Sequence, residues 1–196
     1  MPLPQPEPES ARKRRSLREQ ALAARAAMSD EQRAAATAAI EIGLAPLLQR
    51  LAARTLGFCW PFRGEPDLRA FVTGWLAADA QRRAALPAVL DKAAPMVFRA
   101  WRPGVPMSAD RHGIPIPAAG PSLVPDVVLV PLNAFDAAGF RLGYGGGYFD
   151  RTLAMIDSTA VGVGFESGRV GTTLPQTHDR PMAWIVTEEG VFEPMC

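Results

Sequence analysis

The apolar positions of this chain change spacing several times, and each change marks an element. Between residues 10 and 28, Leu17, Ala21, Ala24 and Met28 recur at helical intervals among helix-favouring residues, which predicts a helix with one narrow apolar stripe. Arg14 and Arg18 fall one turn apart on a different face of it. Ser29 followed by Gln32 is a capping-box pattern and predicts a second helix to about residue 42, where Gly43 and Pro46 kink or end it before a shorter helical piece reaching residue 53. Leu68, Phe71, Val72, Trp75 and Leu76 follow the i, i+3, i+4, i+7, i+8 order of a core-facing helix over 67–78, and another helix is expected over 148–156 with Leu153 and Ile156 turned inward. Short apolar runs at 55–60, 85–90, 96–101, 126–131, 160–165 and 183–187 read as strands. Strands alternating with helices predict a single α/β domain with a mainly parallel central sheet and helices on both faces. Residues 103–125 show neither period and read as a long surface loop, of a length that is more often functional than not. Proline alternating with polar residues over 1–9 predicts a disordered or extended tail, so the domain spans 10–196.

Composition narrows the function classes. With 48% hydrophobic residues the chain can bury a core, which excludes global disorder. The 21 basic residues nearly cancel the 20 acidic ones, so no whole-molecule field gathers nucleic acid or an anionic membrane, and any basic site must be local. Two cysteines, Cys59 and Cys196, make no disulfide framework and fit a reducing compartment. No run of about 18 apolar residues is present, and Arg18, Glu19 and Arg25 interrupt the Ala-rich stretch that a secretory signal would need. A cytoplasmic protein is expected, without membrane or nucleic-acid partners, as a monomer or weak homodimer.

The densest chemical signal is RLGYGGGYFDR at 141–151, between the apolar strand DVVLVP and a helix. Gly145, Gly146 and Gly147 let the backbone take positive φ and approach a ligand closely, and a helix opening at Tyr148 offers free N–H groups to phosphate. In a Rossmann-like three-layer α/β arrangement ligands bind beyond the carboxyl ends of the strands, where this segment belongs. It is neither a P-loop, lacking G-x-x-x-x-G-K-[ST], nor a dinucleotide fingerprint, because Tyr148 stands where the third glycine belongs. A ligand-free glycine hairpin is the plainer alternative; Arg141 and Asp150, as a phosphate partner and a magnesium ligand, weigh against it. Asp150 also suits a helix N-terminus through the dipole alone.

This string, preceded by PDVVLVPLNAFDAAGF, resembles the nucleotide-binding signature of the 5-formyltetrahydrofolate cyclo-ligases. KRRSLR near the start, FCWPFRGEPDLRAF in the middle and LPQTHDRPMAWIVTEEG near the end agree in order, so the resemblance runs from about Lys13 to Glu189. It implies an Mg2+-dependent enzyme of one-carbon metabolism that uses ATP as co-substrate to phosphorylate the formyl oxygen of a reduced folate and close a ring. It further implies ATP contacts from Arg14, Arg18, Arg141, Leu142, Gly143, Tyr144, Gly145, Gly146, Gly147, Tyr148 and Phe149. Arg141 and Tyr148 would act at the reacting groups, and Asp150 and Asp179 would hold magnesium. Glu65 matches an acidic position that contacts folate, and a carboxylate suits the N–H donors of an amino-pyrimidine. Phe62, Met96, Trp101 and Tyr148 would complete that wall. Phe149 replaces a tyrosine of many relatives, and Ile116 before Pro117 replaces an acidic or polar residue.

Two other readings remain. A different Mg-ATP-dependent or phosphate-ester enzyme fits the same scaffold. A non-catalytic RNA-binding or regulatory relative has only the basic run at residues 12–15 in its favour, which a solvated helix face explains equally well.

Overall fold

The computed structural model describes residues 8–92 and 94–194; most of the expected Pro-rich tail and Cys196 lie outside them. Helix α1 (Glu9–Ala27) is followed at once by α2 (Asp30–Arg50). The capping box forms as the sequence indicates: Gln32 N donates to Ser29 Oγ at 3.1 Å and Ser29 N donates to Gln32 Oε1 at 2.8 Å. Pro46 does not end α2. A proline removes one donor, and the carbonyl four residues back belongs to Ile42, which is 76% exposed and can turn to solvent. Gly43 has a packing role instead, since a Cβ there would lie 3.0 Å from Val191 Cγ2.

The strands are β1 (Thr55–Gly57), β2 (Arg83–Ala88), β3 (Val97–Trp101), β4 (Met107–Ala109), β5 (Pro115–Pro117), β6 (Ser122–Leu123), β7 (Val127–Pro131), β8 (Ala134–Phe135), β9 (Arg141–Leu142), β10 (Thr159–Val163), β11 (Trp184–Thr187) and β12 (Gly190–Phe192). The main sheet has the order β12-β11-β10-β7-β1-β2-β3-β6. Five strands from β11 to β2 are parallel, β12 and β3 flank them antiparallel, and β6 pairs antiparallel with β3 at the edge. Two further helices are α3 (Arg69–Ala77) and α4 (Tyr148–Leu153).

Alternation along β7 explains the three layers. Val127 and Leu129 face a core closed by Ile40, Leu44 and Leu48 of α2 and by Val72 and Trp75 of α3. Val128 and Val130 face a second core where Phe149, Leu153 and Ile156 pack. A strand buried on both faces carries no polar side chain, which is why VVLVP reads as a continuous apolar run.

Three details differ from expectation. The stretch read as a loop contains the β4–β5 hairpin and the edge strand β6. Pairing at 3-residue length leaves too little alternation to register as a strand. A second hairpin, β8–β9, stands between β7 and the glycine segment, so that segment does not leave β7 directly. Finally, α4 stops at Leu153, three residues before Ile156.

Candidate active site

The β8–β9 hairpin is held by one buried carboxylate. Asp136 Oδ1 accepts from Ala138 N at 3.2 Å and Phe140 N at 3.1 Å, while Oδ2 accepts from Thr173 N and Thr173 Oγ1, both at 2.8 Å. This bracing delivers Arg141 into a fixed, buried position. Its Nη1 lies 3.2 Å from Asp150 Oδ1 and donates to Arg180 O at 3.0 Å. Burial lowers the guanidinium's pKa, and the charges of Asp150 and Asp179 oppose that shift, so both carboxylates sit around this one arginine.

Gly145 (φ 91°) and Gly147 (φ 64°) take left-handed conformations that a side chain would strain. The short α4 that follows has no side-chain cap, and six residues sum to only a small dipole. Charge for an anion at this turn therefore comes mainly from arginines.

Helix α1 supplies them. Arg14, Arg18, Ala21 and Arg25 recur at i, i+4, i+7 and i+11, one stripe that faces the glycine segment and the strand ends. Arg18 Nε donates to Gly143 O at 2.6 Å. Partial burial and the neighbouring Arg14 charge lower the Arg18 pKa. Arg14 grips Asp179 with both nitrogens, at 2.5 and 3.2 Å, and donates to Leu174 O at 2.8 Å. Burial pushes the Asp179 carboxyl up, but its bonds from Arg14 and from Gln176 N and the Arg14 charge outweigh this and hold it below the ordinary range. Lys13 is 62% exposed and pairs with Glu9, outside the cluster. Arg14 therefore shares a face with Arg18, and Lys13 does not.

Asp150 and Asp179 answer the chemistry of a magnesium site in part. They are two hard oxygen donors beside the glycine segment, and among the described residues no group of three His, Cys, Asp or Glu could hold a metal. Magnesium bound through substrate phosphates needs only one or two carboxylates, so the pair fits. Asp150 takes Arg141 and Arg180 N on Oδ1, leaving Oδ2 without a hydrogen bond among the described residues.

Glu65 anchors a second half. It is buried, 6% exposed, with Oε2 accepting from Phe62 N at 3.0 Å and Oε1 accepting from Tyr144 Oη at 2.8 Å. Tyr144, expected among the ATP contacts, thus turns its hydroxyl to the Glu65 side, and its ring meets Phe62 edge-on at 5.4 Å. Arg25, absent from the sequence reading as a site residue, stands behind both. Its signal was available: an arginine on the buried stripe of α1, in register with Arg14 and Arg18.

The remaining candidates scatter. Tyr148 Oη lies 3.3 Å from His112 Nε2 at the tip of the β4–β5 hairpin, with Arg151 stacked 5.0 Å from the ring. Phe149 packs into the second core beside Arg141, a place that needs no hydroxyl. Leu142 is buried with Ala21 and Ala134. Met96 is buried at the carboxyl end of the sheet and its N–H donates to Thr152 Oγ1 of α4. Trp101 is not brought to the site: it pairs with Ala84 at the opposite end of the sheet and packs edge-on against Phe58 at 5.0 Å. Ile116 is buried in the β4–β5 hairpin, where a charged side chain would lack a partner.

This geometry can be set beside known proteins. The family model of the 5-formyltetrahydrofolate cyclo-ligases matches residues 10–188. The chain belongs to that family. A cyclo-ligase of Mycolicibacterium smegmatis is 30% identical over 151 residues, covering 70% of this chain and 75% of the relative. The Haemophilus influenzae cyclo-ligase is 34% identical over 91 residues, 42% of this chain and 48% of the relative, so that match spans about half the relative's length. Among solved structures, the 5,10-methenyltetrahydrofolate synthetase of Aquifex aeolicus superposes with a TM-score of 0.81 at 26% identity, covering 93% of each chain. The synthetase from Mycoplasma pneumoniae, at 22% identity and TM-score 0.72 over 89% of this chain and 98% of that one, supports the cyclo-ligase fold alone.

Proposed function

We propose that this cyclo-ligase converts 5-formyltetrahydrofolate to 5,10-methenyltetrahydrofolate, with ATP cleaved to ADP and phosphate. The observation that carries the proposal is the convergence of Arg14, Arg18 and Arg141 with two aspartates on the glycine segment, one Tyr144 away from the buried Glu65. A triphosphate suits the first half and the amino-pyrimidine edge of a pterin suits the second.

In this reading the formyl oxygen takes the γ-phosphoryl group, nitrogen 10 attacks the activated carbon, and phosphate leaves. Positioning and charge neutralisation dominate such chemistry, so the absence of a histidine or serine constellation is no obstacle. Arg18 and Arg141 bind phosphate, and Gly145 to Gly147 leave room for it to approach the backbone. Asp150 and Asp179 would hold magnesium, which when bound neutralises phosphate charge. Tyr148 orients the groups where nucleotide and folate meet, and Met96 and Phe62 offer apolar surface. The family and the lack, among the described residues, of a helix long and apolar enough to cross a membrane are compatible with a cytoplasmic enzyme.

Glu65→Gln tests the folate half. The variant keeps one acceptor for Phe62 N but loses the charge, so the KM for 5-formyltetrahydrofolate rises about ten-fold while that for ATP changes little. Steady-state kinetics with each substrate varied would show the split; equal effects on both constants would remove Glu65 from the folate site.

A further inference from the structure

Arg25 is 3% exposed, yet among the described residues no carboxylate lies within hydrogen-bond distance of it, the Glu65 carboxylate standing 3.9 Å away. Its Nη2 donates to Leu132 O at 2.5 Å and to Asn133 Oδ1 at 2.9 Å. Its Nη1 lies 3.3 Å from Tyr144 Oη and 3.9 Å from Glu65 Oε1. An arginine offers only donors, so Asn133 must present its oxygen to Arg25 and its buried Nδ2 is left with no partner among the described residues. Leaving a buried donor unpaired is destabilising. A packed helix does not require that arrangement, because an apolar residue at position 25 would avoid both the buried charge and the orphaned amide.

Resting on the folate assignment of Glu65, we propose that Arg25 is a positioning residue of the folate half: with Tyr144 as relay, it fixes the Glu65 carboxylate and keeps it ionised. Tyr144 Oη accepts from Arg25 and donates to Glu65, so the three groups form a directed chain from α1 to the loop after β1. The carboxylate needs this support. Burial is the strongest influence and leaves the Glu65 pKa raised, while the Tyr144 bond, the Arg25 charge and the Phe62 N–H each pull it part of the way back. The other groups around it do not replace Arg25. Arg33 of α2 donates to backbone oxygens of Arg25, Met28 and Gly64, and burial pushes the Cys59 thiol up so that it stays neutral. Asp30, Glu41 and Asp67 share with Glu65 a groove of about 380 Å³ and add like charge. A protonated Glu65 would offer the pterin a hydroxyl where two acceptor oxygens are wanted.

The test reads Glu65 with and without turnover. Carbon-13 NMR of the side-chain carboxyl, assigned with Glu65→Gln, follows its titration in the free protein. Arg25→Gln moves that titration upward by about one pH unit or more, and Arg25→Lys recovers a good part of the difference. The sign follows from the chemistry: removing a cation favours the neutral acid, so folate binding is lost first at low pH and returns as pH rises. In kinetics, the acid limb of kcat/KM for 5-formyltetrahydrofolate shifts by the same amount while the KM for ATP stays within about two-fold. An unmoved Glu65 titration, or a folate defect that pH does not relieve, overturns the proposal. Should Arg25→Gln fail to fold, Tyr144→Phe, whose ring is partly exposed, shifts Glu65 in the same direction, and its silence overturns the proposal equally. A parent protein without turnover would sink the assigned reaction, while the NMR titration would still decide whether Arg25 controls Glu65.

Discussion

Arg18→Gln is expected to weaken ATP binding about ten-fold or more without unfolding the protein. A charge-assisted hydrogen bond contributes about 1.5–3 kcal/mol, and each 1.4 kcal/mol is a factor of about ten in affinity. Among the described residues Arg18 donates to the Gly143 carbonyl, at 2.6 Å, and makes no ion pair, so its loss should leave the fold in place while removing donors for phosphate. Lys13→Gln supplies the control, because Lys13 pairs with Glu9 at the surface and a pair of that kind contributes little. Arg14→Gln should be different again: it releases Asp179 and Leu174, so it should disturb the loop at 174–180 along with any phosphate contact. Calorimetric ATP titrations beside thermal unfolding distinguish the three. An Arg18 variant that binds ATP like the parent would end the phosphate role.

The second large effect belongs to Asp150→Asn, which should lower turnover about 100-fold, equivalent to ~2.7 kcal/mol of transition-state stabilisation. Asparagine keeps an oxygen for Arg141 Nη1 and Arg180 N, so the melting temperature should move little. What disappears is the anionic charge beside the phosphates. Activity should remain low at saturating ATP and respond differently to magnesium concentration. Turnover within about two-fold of the parent, at any magnesium concentration, would take Asp150 out of the site.

The layers of the fold were readable because they rest on periodicity. VVLVP is apolar on every position since both faces of β7 are covered, and the α3 stripe from Leu68 to Trp75 ends in the core the spacing implies. Failures came where tertiary packing outweighs local signals. Pro46 stays inside α2 because the carbonyl it orphans faces solvent, and the β4–β5 hairpin has strands too short for alternation to emerge. In the site, the glycine segment and its flanking Arg141 and Asp150 were visible as residue types in series. Arg25 was legible only as an arginine on the α1 stripe in register with Arg14 and Arg18, because its importance lies in partners more than 100 residues away, at Leu132, Asn133 and Tyr144. Trp101 was misread for the complementary reason: an aromatic residue near a strand end says nothing about which end of the sheet it occupies until the antiparallel pairing of β3 with β2 is known.

The central claim is tested most directly by incubating purified protein with Mg-ATP and 5-formyltetrahydrofolate and following the methenyl product by its ultraviolet absorbance, with ADP quantified in parallel. Product formation that requires ATP is expected, with one ADP for each methenyl group formed. ATP binding with no methenyl product above background would contradict it, and would point to a different phosphoryl-transfer reaction on the same arginine and aspartate cluster.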